Sequence, residues 1–235
     1  MGAIVVTGAA SGIGAAICQR LDRRPNSHLV LLDNDVQQLN EVCAALAGNH
    51  ASHFVDVTDP TAMDEAISRA LEATGQIDAL IACAGISCVG TVAETDPSRW
   101  EKAFRINTLG AMFSIRSAIG PMKRQRSGTI VVIASVSGRV TYSGEPAYVA
   151  TKHAIVAFCD SVRKEIVGSG VRIAVVEPGF VDSPMTRRQP TLASRIKEVT
   201  PLHVDDVARS IEFILDQPQH CSINELLLRP TNQEL

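Results

Sequence analysis

The chain has 235 residues, of which 46% are hydrophobic, and its formal net charge is -3. This length and composition predict one domain, residues 1–235, with an ample buried core. The cationic residues are scattered, which argues against a nucleic-acid-binding surface. The longest apolar stretches have the length of strands, which argues against a membrane-spanning helix. The first predicted strand begins so early that we expect no signal peptide and a cytoplasmic protein.

Seven short apolar runs alternate with helical segments along the chain. They lie near residues 3–7, 28–33, 51–55, 78–83, 129–134, 171–176 and 224–229. This alternation predicts an α/β fold of the Rossmann type, a doubly wound parallel sheet of about seven strands with helices on both faces. Ligands of such folds bind beyond the carboxyl ends of the strands.

The first run leads directly into a glycine-rich turn, Gly8 to Gly14, followed by an amphipathic helix. Glycines let backbone N–H groups approach a pyrophosphate at the positive end of a helix. A plain turn between a strand and a helix also favours glycine. The turn therefore predicts a dinucleotide site that needs support from other residues.

The second run ends at Asp33, nineteen residues after Gly14. A carboxylate at this position accepts hydrogen bonds from the adenosine ribose and repels a 2′-phosphate. Neither Ser11 nor Asn34 offers a cation to receive that phosphate. Asp33 therefore favours NAD, with NADP the less favoured cofactor. The alternative role for Asp33 is to cap the helix predicted at 36–46, for which Asp35 is the better candidate.

Tyr148 and Lys152 lie four residues apart in a segment with helical spacing, so their side chains project from one face. Tyrosine titrates near pH ~10, and proton transfer near neutrality requires a pKa roughly two to three units lower. A positive charge at about 4 Å contributes on the order of 4 kcal/mol toward the phenolate. The pair predicts a general acid/base, although an ordinary surface helix can carry the same spacing. Tyr142 is rejected for this role because Pro146 stands four residues after it.

The glycine turn, Asp33 and the tyrosine–lysine pair together resemble the short-chain dehydrogenase/reductase superfamily, in the branch with T-G-x-x-x-G-x-G and Y-x-x-x-K motifs. The resemblance covers nearly the whole chain and implies an NAD(P)-dependent oxidoreductase that interconverts a secondary alcohol and a ketone. It implies catalytic roles for Asn107, Ser135, Tyr148 and Lys152. Ser137 competes with Ser135, but the thirteen-residue interval to Tyr148 favours Ser135. The implied cofactor contacts are Thr7, Gly8, Ser11, Gly12, Ile13, Gly14, Asp33, Asp56, Val57, Ala84, Gly85, Tyr148, Lys152, Pro178, Gly179, Val181 and Ser183.

Two departures from the family pattern stand out. The sequence reads Ala82-Cys-Ala-Gly85 where the family usually has Asn-Asn-Ala-Gly, so one side-chain clamp is missing. Ser183 replaces the threonine that often contacts the nicotinamide amide, and its hydroxyl can make the same hydrogen bond. Cys83 and Cys88 flank the predicted nicotinamide cleft, but the six cysteines form no CxxC pair or metal-ligand cluster. We therefore expect no metal.

Substrate contacts are predicted from three segments, 86–92, 136–145 and 180–199, of which the last is the natural lid. Within the lid, Arg187 or Arg188 is a candidate for binding a substrate carboxylate, but a solvated arginine pair is the preferred interpretation.

Two other functions stay open. One is an NADPH-dependent carbonyl reductase of the sepiapterin or benzil reductase type, to which residues 225–233 are faintly similar. The other is a catalytically silent dinucleotide-binding regulator. The resemblance also implies a homo-oligomer, a dimer or a tetramer, formed through long helices predicted at 97–124 and 147–167. Small and apolar residues on these helices could form the interface or face the sheet, namely Ala111, Ile115, Ala118, Ala157 and Phe158.

Overall fold

The structure is a computed structural model that describes residues 2–195 and 198–234. Its centre is a seven-stranded parallel sheet with the strand order β3-β2-β1-β4-β5-β6-β9. The strands of this sheet are β1 (Ala3–Thr7), β2 (His28–Asp33), β3 (Ala51–Phe54), β4 (Ile77–Ala82), β5 (Gly128–Ile133), β6 (Val171–Pro178) and β9 (Glu225–Leu228). A separate parallel pair is formed by β7 (Val181–Asp182) and β8 (Leu202–His203). The predicted fold class is confirmed.

Helices cover both faces of the sheet. They are α1 (Gly12–Leu21), α2 (Val36–Ala44), α3 (Pro60–Thr74), α4 (Pro97–Phe104), α5 (Ala111–Gln125), α6 (Pro146–Glu165), α7 (Pro184–Arg187), α8 (Pro190–Arg195) and α9 (Val204–Leu215). A π-helical turn, Arg105–Gly110, joins α4 to α5, and a 3-10 turn, Val136–Gly138, follows β5. Among the described residues, no helix is both long and apolar enough to cross a membrane.

The core has two layers because successive strand residues point to opposite faces of the sheet. Ala3 and Val5 belong to the cluster that packs under α3, α5 and α6, whereas Ile4 and Val6 belong to the cluster under α1 and α9. Each fully buried large apolar side chain contributes about 1.5–3 kcal/mol to folding. Burial on both faces explains why the central strands are uniformly apolar.

The chain reverses its direction of travel across the sheet at β1. From β1 it moves outward to β2 and β3, and then returns past β1 to form β4 and the strands beyond it. The carboxyl ends of β1 and β4 therefore part into a crevice, which is the usual ligand site of such sheets. The glycine turn after β1 opens directly into this crevice.

The helices differ from prediction in one respect that matters for the site. The helix predicted without a break over 97–124 is interrupted by the π-helical turn at Arg105–Gly110. Thr108 Oγ1 in this turn donates to the carbonyl oxygen of Thr151 on α6, 3.3 Å away. Such a contact between distant segments leaves no periodic signal in the sequence. The other helix and strand ends agree within about two residues.

The predicted oligomer residues divide between the core and the surface. Ala111, Ile115 and Ala118 are buried in the core against the sheet, and Phe158 packs on the same cluster. They do not form an exposed helix face. Ala157 is exposed and stays available for contact with another subunit.

Candidate active site

The glycine turn brings backbone N–H groups to the start of α1. Gly8 and Gly12 have φ angles of 69° and 54°, in the left-handed region that favours glycine. A Cβ on Gly14 would overlap the carbonyl oxygen of Gly8, and one on Gly8 would lie 2.7 Å from the Cα of Ala84. The turn therefore folds tightly against its own helix and the end of β4. This is a cradle in which a pyrophosphate fits and side chains do not.

Thr7 fastens this cradle to the neighbouring strand. Its Oγ1 accepts hydrogen bonds from the backbone N–H groups of Cys83, at 3.1 Å, and Ala84, at 3.3 Å. A side chain of β1 thus holds the loop in which the usual family asparagines are absent. Burial raises the pKa of the Cys83 thiol to about 12, so that thiol stays protonated near neutral pH.

Two carboxylates mark the far end of the crevice. Asp33 Oδ2 accepts from the backbone N–H of Ala10, and its Oδ1 accepts from Asp35, both at 3.0 Å. Asp35 itself caps α2 by accepting from the backbone N–H of Gln38. The alternative cap role for Asp33 is thus taken by Asp35. Asp56 is fixed by the backbone N–H of Thr58, which donates to its Oδ1 at 2.9 Å.

The crevice encloses a volume of about 380 Å³ that runs from Asp33 to Tyr148. All the predicted cofactor and catalytic residues line it except Thr7 and Asn107. Residues that sequence reasoning did not assign to the cofactor also line it, including Gln38, Ile106 and Met185. They come from helices α2 and α7 and the π-helical turn, and no motif marks them.

Tyr148 and Lys152 lie on the first turns of α6, on the face that borders the crevice. Lys152 Nζ is 5.6 Å from the centre of the Tyr148 ring and donates to the carbonyl oxygen of Ile133 at 3.0 Å. Ile133 ends β5, so α6 is tied to the sheet at this point. The structure therefore places the predicted ammonium near the predicted phenol.

The predicted direction of the Tyr148 pKa is wrong for the protein by itself. Burial raises this pKa to about 12; a hydrogen bond with Ser135 lowers it, and the charge of Glu145 raises it. Burial also lowers the pKa of Lys152 to about 8. Near pH 8 the lysine therefore carries only part of a charge. At Tyr148, desolvation outweighs the hydrogen bond with Ser135.

Ser135 lies between Tyr148 and the end of β6. It begins the 3-10 turn after β5, and its Oγ accepts from the backbone N–H of Ser137 at 3.1 Å. The same hydroxyl donates to the carbonyl oxygen of Pro178 at 3.4 Å. Ser137 is buried and does not line the crevice. Of the two serines, only Ser135 therefore borders the crevice.

Asn107 lies in the π-helical turn beneath the crevice. Its Oδ1 accepts from the backbone N–H of Ile86 at 2.8 Å, and its Nδ2 donates to the carbonyl oxygen of Ile86 and to Thr151 Oγ1. A Cβ on Gly85 would lie 3.3 Å from Asn107 Oδ1 and 3.9 Å from Lys152 Nζ. Asn107 therefore holds the loop after β4 against α6, close to Lys152.

The lid begins with β7 and α7, and the rest of it includes residues 196–197, which lie outside the described residues. Ser183 begins α7, where its backbone N–H donates to Thr186 Oγ1 at 3.1 Å. Pro184 lies against Gly12, since its Cδ is 3.5 Å from the position of a Cβ there. The lid thus starts directly over the glycine cradle.

The two lid arginines have different surroundings. Arg187 is paired with Asp182 through two contacts, Nε to Oδ1 at 2.6 Å and Nη2 to Oδ2 at 2.7 Å. Arg188 is exposed and lines the crevice. Arg187 is nevertheless solvated, because its side chain is 67% exposed, which agrees with the preferred interpretation. Across residues 2–195 and 198–234, no group of three or more histidine, cysteine or acidic residues is placed to bind a metal.

Proteins of similar sequence identify the family. A family model described as short chain dehydrogenase matches residues 2–192. An uncharacterized oxidoreductase of Staphylococcus epidermidis is 32% identical over 226 residues, covering 96% of each chain. Glycine betaine reductase of Emericella nidulans is 33% identical over 241 residues, covering 98% of this chain but 19% of that larger protein.

Solved structures share the fold. A closed form of serine dehydrogenase complexed with NADP+ has a TM-score of 0.94 at 24% identity, covering 99% of this chain and 96% of that one. An alcohol dehydrogenase from the archaeon Thermococcus sibiricus, complexed with 5-hydroxy-NADP, has a TM-score of 0.88 at 24% identity and covers 100% and 99%. The sheet order, the glycine cradle and the family match together show that this chain is an oxidoreductase of the short-chain dehydrogenase family.

Proposed function

We propose that the protein interconverts a secondary alcohol and a ketone, with Tyr148 as general acid/base and NAD as cofactor. The observation that carries the proposal is the meeting of Tyr148, Ser135 and Lys152 at one end of the crevice whose other end is the glycine cradle. A bound NAD supplies the hydride acceptor and the positive charge of its nicotinamide ring. That charge would stabilise the Tyr148 phenolate and so lower the Tyr148 pKa, which burial raises.

In alcohol oxidation, the Tyr148 phenolate takes the proton of the substrate hydroxyl as the carbinol carbon gives up its hydride. Ser135 turns its hydroxyl from the Pro178 carbonyl oxygen to the substrate oxygen, donates a hydrogen bond to it and so orients it. Lys152 holds its ammonium near Tyr148 and would bind the ribose of the cofactor. Asn107 supports the water path to solvent by fixing Ile86 against Thr151. Ketone reduction reverses each of these steps.

The cofactor preference rests on the carboxylates at the adenosine end. Asp33 and Asp35 both line the crevice, and backbone N–H groups hold the Asp33 carboxylate in place. A 2′-phosphate there would meet two fixed negative charges, whereas ribose hydroxyls would donate to them. This charge arrangement favours NAD over NADP.

Association into a homo-oligomer and a cytoplasmic location are part of the same proposal. The exposed apolar side chains of Phe104 and Leu109, together with Ala157, lie along the two long helical segments and support association with a second copy or a tetramer. The six cysteines are free thiols, which suits a reducing cytoplasm.

The test is a panel of secondary alcohols and ketones on which turnover is measured by the change in NADH absorbance. Binding of NADH and of NADPH is titrated in parallel. The expected result is turnover with NAD and tighter binding of NADH than NADPH. Preferential binding and turnover of NADPH would instead support the carbonyl reductase alternative. Dinucleotide binding with no turnover on any substrate would support the silent regulator.

A further inference from the structure

A three-membered ion pair lies next to the turn that carries Ser135. Arg139 Nε is 2.6 Å from Glu177 Oε1, and its Nη2 is 2.7 Å from Glu225 Oε1. The Glu177 side chain is 2% exposed, whereas that of Glu225 is 40% exposed. A buried carboxylate is costly unless a cation and hydrogen bonds compensate its charge. Arg139 provides both to Glu177, so the two segments that carry them are strongly linked.

These two segments are the ones that hold the Ser135 hydroxyl. Arg139 is the first residue after the 3-10 turn that Ser135 begins, and its backbone N–H donates to the carbonyl oxygen of Val136. Glu177 is the residue before Pro178, whose carbonyl oxygen accepts from Ser135 Oγ. The ion pair and the serine hydrogen bond therefore join the same turn to the same end of β6.

Close packing fixes the other side of the turn. A Cβ on Gly138 would lie 2.9 Å from Val156 Cγ2 and 3.1 Å from the carbonyl oxygen of Lys152. The turn thus lies directly on the part of α6 that carries Lys152, with Tyr148 one turn earlier. Contact with α6 on one side and the ion pair to β6 on the other leave the turn little freedom to shift.

We infer that the Glu177–Arg139 pair is a positioning device that holds Ser135 at the crevice wall that it shares with Tyr148, with Glu225 as an outer support. The inference deepens the proposed function, on which it rests. Glu177 and Arg139 act through Ser135 and are not themselves catalytic residues. If the pair is broken, the turn shifts, Ser135 moves relative to Tyr148, and the phenolate loses a hydroxyl that lowers its pKa.

The most informative variant is Glu177→Gln, because a loss of positioning and a loss of charge would change the Tyr148 pKa in opposite directions. Removal of a nearby negative charge by itself stabilises the phenolate and moves the Tyr148 pKa downward. Loss of the Ser135 hydrogen bond moves it upward. We expect the midpoint of the pH profile for alcohol oxidation to rise by roughly half a unit or more, and kcat at pH 7 to fall about tenfold. NADH binding should change by less than about twofold, because the cradle is untouched.

The matched control is Glu225→Gln, which removes a negative charge from the same arginine but leaves the Glu177 contact. It should lower the midpoint or leave it unchanged, with kcat within about twofold. Glu177→Asp keeps the charge but withdraws the carboxylate by one methylene. It should reproduce the upward shift, and it serves as the second variant should Glu177→Gln fail to fold.

A readout besides activity uses the two tyrosines of the chain. In a Tyr142→Phe background, Tyr148 is the remaining tyrosine, so its ionisation can be followed by absorbance near ~295 nm with NAD bound. The inference predicts less tyrosinate at a given alkaline pH when Glu177→Gln or Glu177→Asp is added. Circular dichroism at each pH confirms that the variants stay folded.

The outcomes distinguish a failure of the positioning role from a failure of the proposed function. An unchanged or lowered Tyr148 pKa in both Glu177 variants overturns the positioning role. Weaker NADH binding with an unmoved titration also overturns it, because the pair would then support the Pro178–Gly179 loop instead. Failure of the wild-type protein to turn over any substrate overturns the proposed function, and the tyrosine titration still decides whether Ser135 is held by this pair.

Discussion

The two ends of the crevice are built in different ways. At the adenosine end, the cradle of Gly8 to Gly14 and the carboxylate of Asp33 are held by backbone groups of consecutive elements. At the nicotinamide end, Ser135 follows β5, Tyr148 and Lys152 lie on α6, and Asn107 lies in a π-helical turn. The first end is local in the chain, whereas the second is assembled from distant segments.

In the proposed function, this difference separates cofactor binding from proton transfer. In the proposed function, backbone N–H groups and a fixed carboxylate recognise the dinucleotide through hydrogen bonds. The nicotinamide end instead buries two titratable groups. Burial raises the pKa of Tyr148 and lowers the pKa of Lys152, so it favours the neutral form of each. Variants at one end should therefore change cofactor binding, whereas variants at the other end should change kcat and its pH dependence.

The largest expected effect is that of Tyr148→Phe, which removes the proposed proton acceptor and leaves the ring in place. We expect kcat to fall by roughly 10²–10⁴-fold while the dissociation constant for NADH changes less than about twofold. Steady-state kinetics and fluorescence titration of NADH measure the two quantities. Tyr142→Phe is the control and should keep most of the activity. Full turnover by Tyr148→Phe with normal NADH binding would remove Tyr148 from the mechanism.

The next prediction concerns stability and pH. The folded-state pKa of Lys152 is lowered to about 8 from an ordinary 10.5, so between these values the unfolded chain holds a proton that the folded protein has released. Folding is therefore disfavoured by the buried charge below pH 8 and becomes more favourable as pH rises toward 10.5. We expect Lys152→Met to be more stable than wild type at pH 7 by about 1–3 kcal/mol, with this advantage shrinking by pH 10.

Urea unfolding from pH 7 to pH 10 measures this difference. Lys164→Met, at the exposed end of the same helix, is the matched control and should show no comparable pH dependence. A stability difference between Lys152→Met and wild type that is constant across this range would mean that the lysine is not desolvated in the folded protein.

The sequence predicts the adenosine end better than the nicotinamide end for the same reason. The glycine turn, Asp33 and the order of strands and helices are local patterns, and the seven strands lie within about two residues of their predicted positions. The π-helical turn around Asn107 depends on contacts with Ile86 and Thr151, which are distant in the chain. The direction of the Tyr148 pKa was predicted wrongly because spacing reveals a neighbouring charge but not the degree of burial.

A smaller effect is expected for Asp33→Ala at the adenosine end. Without this carboxylate, a 2′-phosphate is repelled only by Asp35, and the ribose loses an acceptor. The dissociation constant for NADPH divided by that for NADH should therefore fall by roughly 10- to 100-fold. The kcat should change far less than this ratio, because the chemistry lies at the other end. Asp35→Ala removes the α2 cap and should cost about 1 kcal/mol of stability with a smaller shift in cofactor preference.

The smallest effect is expected at the lid, where Arg187 and Arg188 form a natural matched pair. Arg188 lines the mouth of the crevice, and α7, which precedes it, starts against Gly12 over the pyrophosphate cradle. An exposed ion pair with a bound anion contributes about 0.2–1 kcal/mol, so Arg188→Gln should weaken NADH binding by roughly two- to fivefold, less so at high salt. Arg187→Gln should leave binding unchanged, because Asp182 already holds that guanidinium.

The same two variants also show to which end of the crevice the lid belongs. If Arg188→Gln raises the KM of a carboxylate-bearing alcohol but not that of a neutral one, and leaves NADH binding intact, its partner is the substrate, and the lid belongs to the nicotinamide end. If it weakens NADH binding equally with either alcohol, the lid belongs to the cradle. Equal effects of Arg187→Gln and Arg188→Gln would mean that the Asp182 contact does not distinguish the two arginines in solution, because the lid would then exchange its ion pairs.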